Sequence, residues 1–201
     1  MAHFHLHTPL TDEDMMALHV GDTVTLTGHM FGIRDANLIR IFDHGIDPPA
    51  DLIPQLKGAV GIHTAPNVIK RPDGGYDKMC IGTTTSTRMD RFTPGLMERF
   101  GMKAIIGKGG QYDKGTRAIR EFKGAYLSIV GGAAAIETTQ IEEIEQVWWE
   151  DLMPECIWKF RIRNLGPLIV SIDCHGGSIY ESVKNSARAK LAEIYEEMGL
   201  V

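Results

Sequence analysis

Apolar and polar positions along the chain alternate between two periods. From Thr23 to Thr27, hydroxyl and apolar residues alternate, which predicts a strand. Gly58 to His63, Lys103 to Ile106, Ala125 to Val130 and Leu168 to Asp173 are short, nearly continuous apolar runs that read as buried strands. Asn67 to Ile81 reads as a hairpin turning at Pro72-Asp73-Gly74-Gly75. Between these runs the pattern is helical. Thr11 caps a short helix through Leu18, with Asp12, Glu13 and Asp14 in its first turn. Arg34 to His44 ends at Gly45, and Ser86 to Phe100 restarts at Thr93-Pro94 and stops at Gly101. Asp113 to Lys123 is stopped by Gly124. The last helix, Ser178 to Met198, aligns Tyr180, Val183, Ala187, Leu191, Ile194 and Met198 on one face. In the segment from Ile141 to Arg163, Glu142, Glu143 and Glu145 interrupt the apolar pattern, and it is read as strand. Strands mixed with helices make this an α/β protein.

The 201 residues are enough for a sizeable core. A net charge of −5 with dispersed basic residues does not suggest a nucleic-acid surface. No apolar run reaches the roughly 18–20 residues of a membrane span, and the first residues lack a signal-peptide pattern. Together these predict a cytoplasmic protein. Cys80, Cys156 and Cys174 are widely spaced and form no CxxC pair, which argues against a disulfide framework and against an iron–sulfur cluster held by this chain alone.

The run Gly82-Thr83-Thr84-Thr85-Ser86-Thr87-Arg88 carries the most chemistry. Capping a helix needs one hydroxyl residue, not five. Several hydroxyls, the N–H groups of a helix start and a guanidinium suit an anion, especially a carboxylate. Three apolar runs end in glycine-rich turns: Gly107-Lys108-Gly109-Gly110, Gly131-Gly132 and His175-Gly176-Gly177. In open α/β sheets ligands gather at such ends. Lys108 would add a point charge there, unless it is only a solvated turn lysine. Arg34 stands at a helix start, where a cation is disfavoured. With Arg88 and Lys108 it makes three cations at loop-to-helix junctions, enough for a dicarboxylate. His3, His5 and His7 alternate and could bind metal, but with no carboxylate or cysteine nearby they read as a polar strand face. His175 is a further acid–base candidate with only Asp173 to orient it. Neither nucleotide-binding glycine motif is present. Thr84 or Thr85 could move a proton only with help, since a free hydroxyl is a poor base.

In order and spacing, a set of blocks resembles the beta subunit of two-subunit class I iron–sulfur hydro-lyases (fumarate hydratase and L(+)-tartrate dehydratase). It is equally similar to the C-terminal domain of single-chain class I fumarases. The blocks are Thr8-Pro9-Leu10, Val20-Gly21-Asp22, Leu26-Thr27-Gly28, Arg34-Asp35-Ala36, Gly82 to Asp90, Gly107 to Gly110, Gln140 to Ile144 and Gly166 to Asp173. The resemblance covers nearly the whole chain and implies a single domain over 1–201 with a swivelling β/β/α fold. It implies a [4Fe–4S] cluster ligated by a partner alpha subunit rather than by this chain, in a hetero-oligomer of two alpha and two beta subunits. By motif position Thr84 is the catalytic base, Thr85 a hydrogen-bonding group, and Arg34, Arg88 and Lys108 hold the substrate carboxylates. The reaction implied is reversible hydration of fumarate to L-malate. The rivals are dehydration of L(+)-tartrate and a non-catalytic carboxylate-binding subunit. Two positions depart from the family's habit: Thr83 stands where a proline is frequent, and Leu38 where a histidine is.

Overall fold

Strand pairing closes on itself in this protein. The structure is a computed structural model that describes residues 1–130, 132 and 134–200. Nine strands occur among them: β1 (His3–His7), β2 (Thr23–Ile33), β3 (Val60–His63), β4 (Asn67–Lys70), β5 (Tyr76–Cys80), β6 (Ala104–Gly107), β7 (Ala125–Ser128), β8 (Ile141–Trp148) and β9 (Ile157–Ile172). The main sheet runs β1-β2-β3-β6-β7-β9-β8, and β9 also pairs with β2. Strands β2, β3, β6, β7 and β9 therefore form a barrel-like ring, flanked by β1 and β8. From β1 to β7 the ring strands are mutually parallel, and β9 is antiparallel to β2, β7 and β8. Beside the ring, β4 and β5 form the expected hairpin, with Gly74 at φ +89° in its turn.

The continuous apolar runs are explained by burial of both faces. Val60, Ile62, Ala104, Ile106, Ala125 and Leu127 point into the ring with Leu26, Met30, Trp158, Phe160 and Val170. The alternate residues Ile105 and Tyr126 point outward. They meet Leu38 and Ile41 of α2 (Asp35–Phe42), Leu96 and Phe100 of α3 (Thr93–Phe100) and Ile119 of α4 (Asp113–Glu121). A fully buried Leu, Ile or Phe contributes about 1.5–3 kcal/mol, so these two layers dominate the fold's stability. The helix signals act as expected. Thr11 and Asp14 form a reciprocal capping box at α1 (Asp12–Ala17), and Gly101 ends α3 in the left-handed conformation at φ 68°.

Five expectations need correction. Ile141 to Arg163 is not one strand but β8 and the first part of β9, separated by a 3₁₀ turn at Glu150–Leu152. The strand from Thr23 runs on to Ile33. Leu168 to Asp173 is not a separate strand but the end of the 16-residue β9, which continues through Pro167. The segment from Ser86 begins as a 3₁₀ helix, Ser86–Phe92, before α3. The last helix is two, α6 (Ile179–Ala189) and α7 (Leu191–Glu197), broken at Lys190. A further helix, α5 (Ala134–Gln140), was not expected. In the expected glycine turn after β7, Gly131 lies outside the described residues.

Candidate active site

Parallel strands deliver their C-terminal ends to one side of the ring. There β2 runs into Arg34, β3 into Thr64 and β6 into Lys108. The hydroxyl run is laced across these ends. Thr84 N–H donates to the His63 carbonyl at 2.8 Å, and Ser86 N–H donates to the Lys108 carbonyl at 2.9 Å. Thr83 bridges Thr64, and Thr85 bridges Lys108. Thr84 and Thr85 are thus held by backbone hydrogen bonds on both sides, with their side chains half-buried.

A buried network supports the run from below. His63 has no exposed surface, and its Nδ1 lies 2.8 Å from Ser86 Oγ. Ser86 Oγ also accepts from the Tyr126 hydroxyl at 3.0 Å. A Cβ on Gly107 would overlap Ser86 Oγ, so the strand end must be glycine for the run to lie this close. Burial lowers the His63 pKa to about 3, with the nearby Asp35 carboxylate opposing and the Arg88 charge reinforcing the shift. His63 is therefore neutral, and its Nε2 has no hydrogen-bond partner among the described residues.

Asp35 joins the two arginines. Arg88 donates to it through Nε at 3.3 Å and Nη2 at 3.0 Å, and Arg34 through Nε at 3.3 Å. Burial opposes the ionised form of Asp35, but the Arg88 and Arg34 hydrogen bonds and the Arg88 charge outweigh it and hold its pKa below the usual carboxylate value. Arg34 also pairs with Glu155 at 3.3 Å. Glu155 in turn accepts from Ala36 N–H at 2.8 Å, and the buried Asn37 donates to the Glu155 and Cys156 carbonyls. Arg88 Nη2 lies 3.4 Å from Thr84 Oγ1. The structure therefore brings Arg34, Arg88 and Thr84 together around Asp35, and links Thr85 to Lys108 through backbone. Neither Arg34 Nη nor Lys108 Nζ is hydrogen-bonded among the described residues. The edge presented outward can still take a carboxylate in bidentate fashion.

The family described as fumarase C-terminus matches residues 1–183. The chain belongs to that family. It is 36% identical over 194 residues to the L(+)-tartrate dehydratase subunit beta of Escherichia coli K12, covering 96% of this chain and 94% of that protein. It is 34% identical over 195 residues to a protein of Geobacillus stearothermophilus provisionally named fumarate hydratase class I, covering 95% of this chain and 36% of that protein. A Methanocaldococcus jannaschii protein provisionally named L(+)-tartrate dehydratase subunit beta is 32% identical over 187 residues.

Within this fumarase C-terminus chain, other sequence candidates fall elsewhere. Because β9 is antiparallel to β7, with Ile172 opposite Tyr126, the chain beyond Ile172 leaves the ring where β7 begins. His175 is there, stacked on His19, with its Nε2 3.0 Å from the Met16 carbonyl. Asp173 accepts from the N–H groups of Val20, His175 and Gly177, a structural role. His3 bonds Thr23 and Thr25 across β1 and β2. Leu38 is fully buried in the outer core and does not face the arginines' open side. Among the described residues no three His, Cys, Asp or Glu side chains gather to hold a metal. The cysteines do not fit a cluster either: Cys80 is exposed on β5, Cys156 is buried against Met153, and Cys174 donates to the Met15 carbonyl.

The sequence reading missed two acids, Glu155 beside Arg34 and a second one on α5. Glu137 of α5 is 3% exposed, takes a hydrogen bond from the Thr83 backbone, and has Oε2 unpartnered among the described residues. Burial raises its pKa to about 7 against the opposing Thr83 hydrogen bond and Lys108 charge. The same helix grips the start of the run, with Thr138 Oγ1 accepting from Ile81 N–H at 2.7 Å.

Proposed function

We propose that this chain is the beta subunit of a [4Fe–4S] hydro-lyase that reversibly hydrates fumarate to L-malate in the cytoplasm, as one half of a site completed by an alpha subunit. The convergence of Thr84, Arg88 and Arg34 around Asp35 supports this reading best. Arg34 and Arg88, oriented edge-on by Asp35, bind one substrate carboxylate, and Lys108 meets the other. Thr85 donates a hydrogen bond to the bound acid. In the dehydrating direction Thr84 Oγ takes the proton from the carbon next to the departing hydroxyl, and in hydration it returns that proton. The adjacent Arg88 cation favours the deprotonated hydroxyl that this step needs. The cluster, held by the alpha subunit in a heterotetramer of two alpha and two beta chains, supplies Lewis-acid chemistry at the substrate hydroxyl. The openness of the site on this chain, with Thr84 half-buried and Arg88 exposed, fits a cleft closed by a partner and a domain of the swivelling β/β/α kind.

A second reading, dehydration of L(+)-tartrate to oxaloacetate, is favoured by the near-full-length match to subunits carrying that name. The deciding experiment is anaerobic co-expression with a cluster-bearing alpha subunit and parallel assay of fumarate and L(+)-tartrate, with Thr84→Ala as control. Fumarate turnover that collapses in the variant supports the proposal, and turnover of tartrate alone replaces it with the second reading. Full activity of Thr84→Ala would leave this chain a carboxylate-binding subunit without a catalytic hydroxyl.

A further inference from the structure

The C-terminal helices touch their own chain only near their start, where Tyr180 packs and Lys184 lies 5.5 Å over the Tyr112 ring. Tyr180 anchors them, its hydroxyl 2.7 Å from Ser128 Oγ and its ring against Gly110. Beyond it every residue from 181 to 200 is exposed. The apolar stripe foreseen from the sequence is present but unpartnered: Val183 is 63% exposed, Ile194 43% and Met198 64%. A stripe of this kind is normally buried against another surface.

Charge is divided along the same segment. Its first half carries Lys184, Arg188 and Lys190 against a single acid, Glu181. Its second half, Leu191 to Leu200, carries Glu193, Glu196 and Glu197 and no basic residue. The two helices are complementary to their own reverse, the basic α6 of one copy facing the acidic α7 of the other. In one antiparallel register, Val183 lies opposite Met198 and Ala187 opposite Ile194 of a second copy. The same register sets Lys184 against Glu197 and Arg188 against Glu193. A two-fold axis near Lys190 and Leu191 repeats every pair, as an isologous contact requires. Parallel pairing would instead place like charges together along its whole length.

We propose that residues 179–200 dimerise this chain by antiparallel pairing of α6–α7 with the same segment of a second copy. The contact is independent of the proposed chemistry and lies on helices that carry no proposed site residue. Its signature is sign-dependent, which separates it from a generic sticky surface.

The test uses the full chain in sedimentation velocity over a dilution series, with circular dichroism as a folding control. One variant carries Lys184→Glu, Arg188→Glu and Lys190→Glu, and another Glu193→Lys, Glu196→Lys and Glu197→Lys. Each alone should weaken the dimer at least about tenfold, the loss of roughly 1.4 kcal/mol. Mixing the two variants should give a heterodimer, and the six-fold charge exchange in one chain should restore the homodimer. A wild-type chain that stays monomeric at every concentration overturns the proposal. So does a dimer indifferent to both triple variants, or a tail that becomes protected from protease only when a cluster-bearing subunit is added.

Discussion

His63 makes the candidate site's support acid-sensitive, by an amount that follows from its burial. Its pKa falls from its ordinary 6.5 to about 3 in the fold, because the ring has no exposed surface. The folded state therefore refuses a proton that the unfolded chain accepts, and stability is lost as pH falls below 6.5. At about 1.4 kcal/mol per pKa unit, the cost is near zero at about pH 7.5 and about 2 kcal/mol at about pH 5. His63→Asn removes the titration while its amide can still reach Ser86 Oγ. Urea unfolding of both proteins, each referred to its own stability at about pH 7.5, should show wild type losing about 2 kcal/mol more than the variant by about pH 5. Equal losses would mean that His63 carries its proton in the folded state. The buried Ser86–Tyr126 network could not then rest on a neutral ring.

Thr84→Ala should lower kcat of the assembled enzyme about 10²- to 10⁴-fold, while thermal melting of the chain moves by no more than about 0.5 kcal/mol equivalent. Asp35→Asn leaves Arg34 and Arg88 facing each other without their shared anion. Because the Asp35 pKa is depressed on folding, the resulting loss of stability should be present near neutral pH and vanish as pH falls below 3.8, the ordinary aspartate value, in acid-dependent unfolding curves. Gly107→Ala forces a methyl onto Ser86 Oγ and should cost about 1–3 kcal/mol by calorimetry, with activity falling more than stability. Glu137 titrates the other way: its raised pKa of about 7 means that its contribution is fully present below 4.5 and is lost as pH rises through about 7. Glu137→Gln should therefore stabilise the fold by at most about 3 kcal/mol at about pH 8 and not at all at about pH 4.5, measured by urea unfolding.

What the sequence made legible was local. Five hydroxyls beside an arginine need no tertiary information to be noticed, and neither do Gly101 or the Thr11–Asp14 cap. Two strand readings had wrong bounds for identifiable reasons: Ile141 to Arg163 is indeed extended but is β8 and the start of β9 with a 3₁₀ turn between them, and Leu168 to Asp173 is only the end of β9. In β8 the buried positions Ile141 and Ile144 are three apart, because the pairing with β9 slips between Ile141 and Glu143 and again between Ile144 and Gln146. A period of two cannot be read from such a strand. Pro167 hid the continuity of β9, since proline in a run normally marks an edge or an end. The two-face burial of the ring made apolar runs look like open parallel strands, and antiparallel β9 then carried His175 to the far end. Asp35 was legible as a helix-start charge, but its clamp on two arginines 53 positions and one position away is tertiary. Glu155, His63 and Glu137 were invisible for the same reason: each has an ordinary sequence context and acquires its role only from what packs against it.

The charge balance around Thr84 turns out differently from three free cations. Arg34 and Arg88 are matched by Asp35 and Glu155, so the two acids cancel their net charge while fixing where their N–H groups point. That leaves Lys108 as the unmatched cation among these groups. Its charge is felt by Glu137, which burial keeps protonated below about pH 7. A substrate carboxylate is therefore attracted less by bulk positive charge than by guanidinium edges held in place by Asp35. Preorganised donors of this kind cost no reorganisation when the anion arrives. The same logic explains why a carboxylate sits in the middle of a site proposed to bind carboxylates. Without Asp35, Arg34 would keep only Glu155 and Arg88 would lose its anchor and turn toward solvent, and the paired geometry that recognises a second carboxylate would go with it.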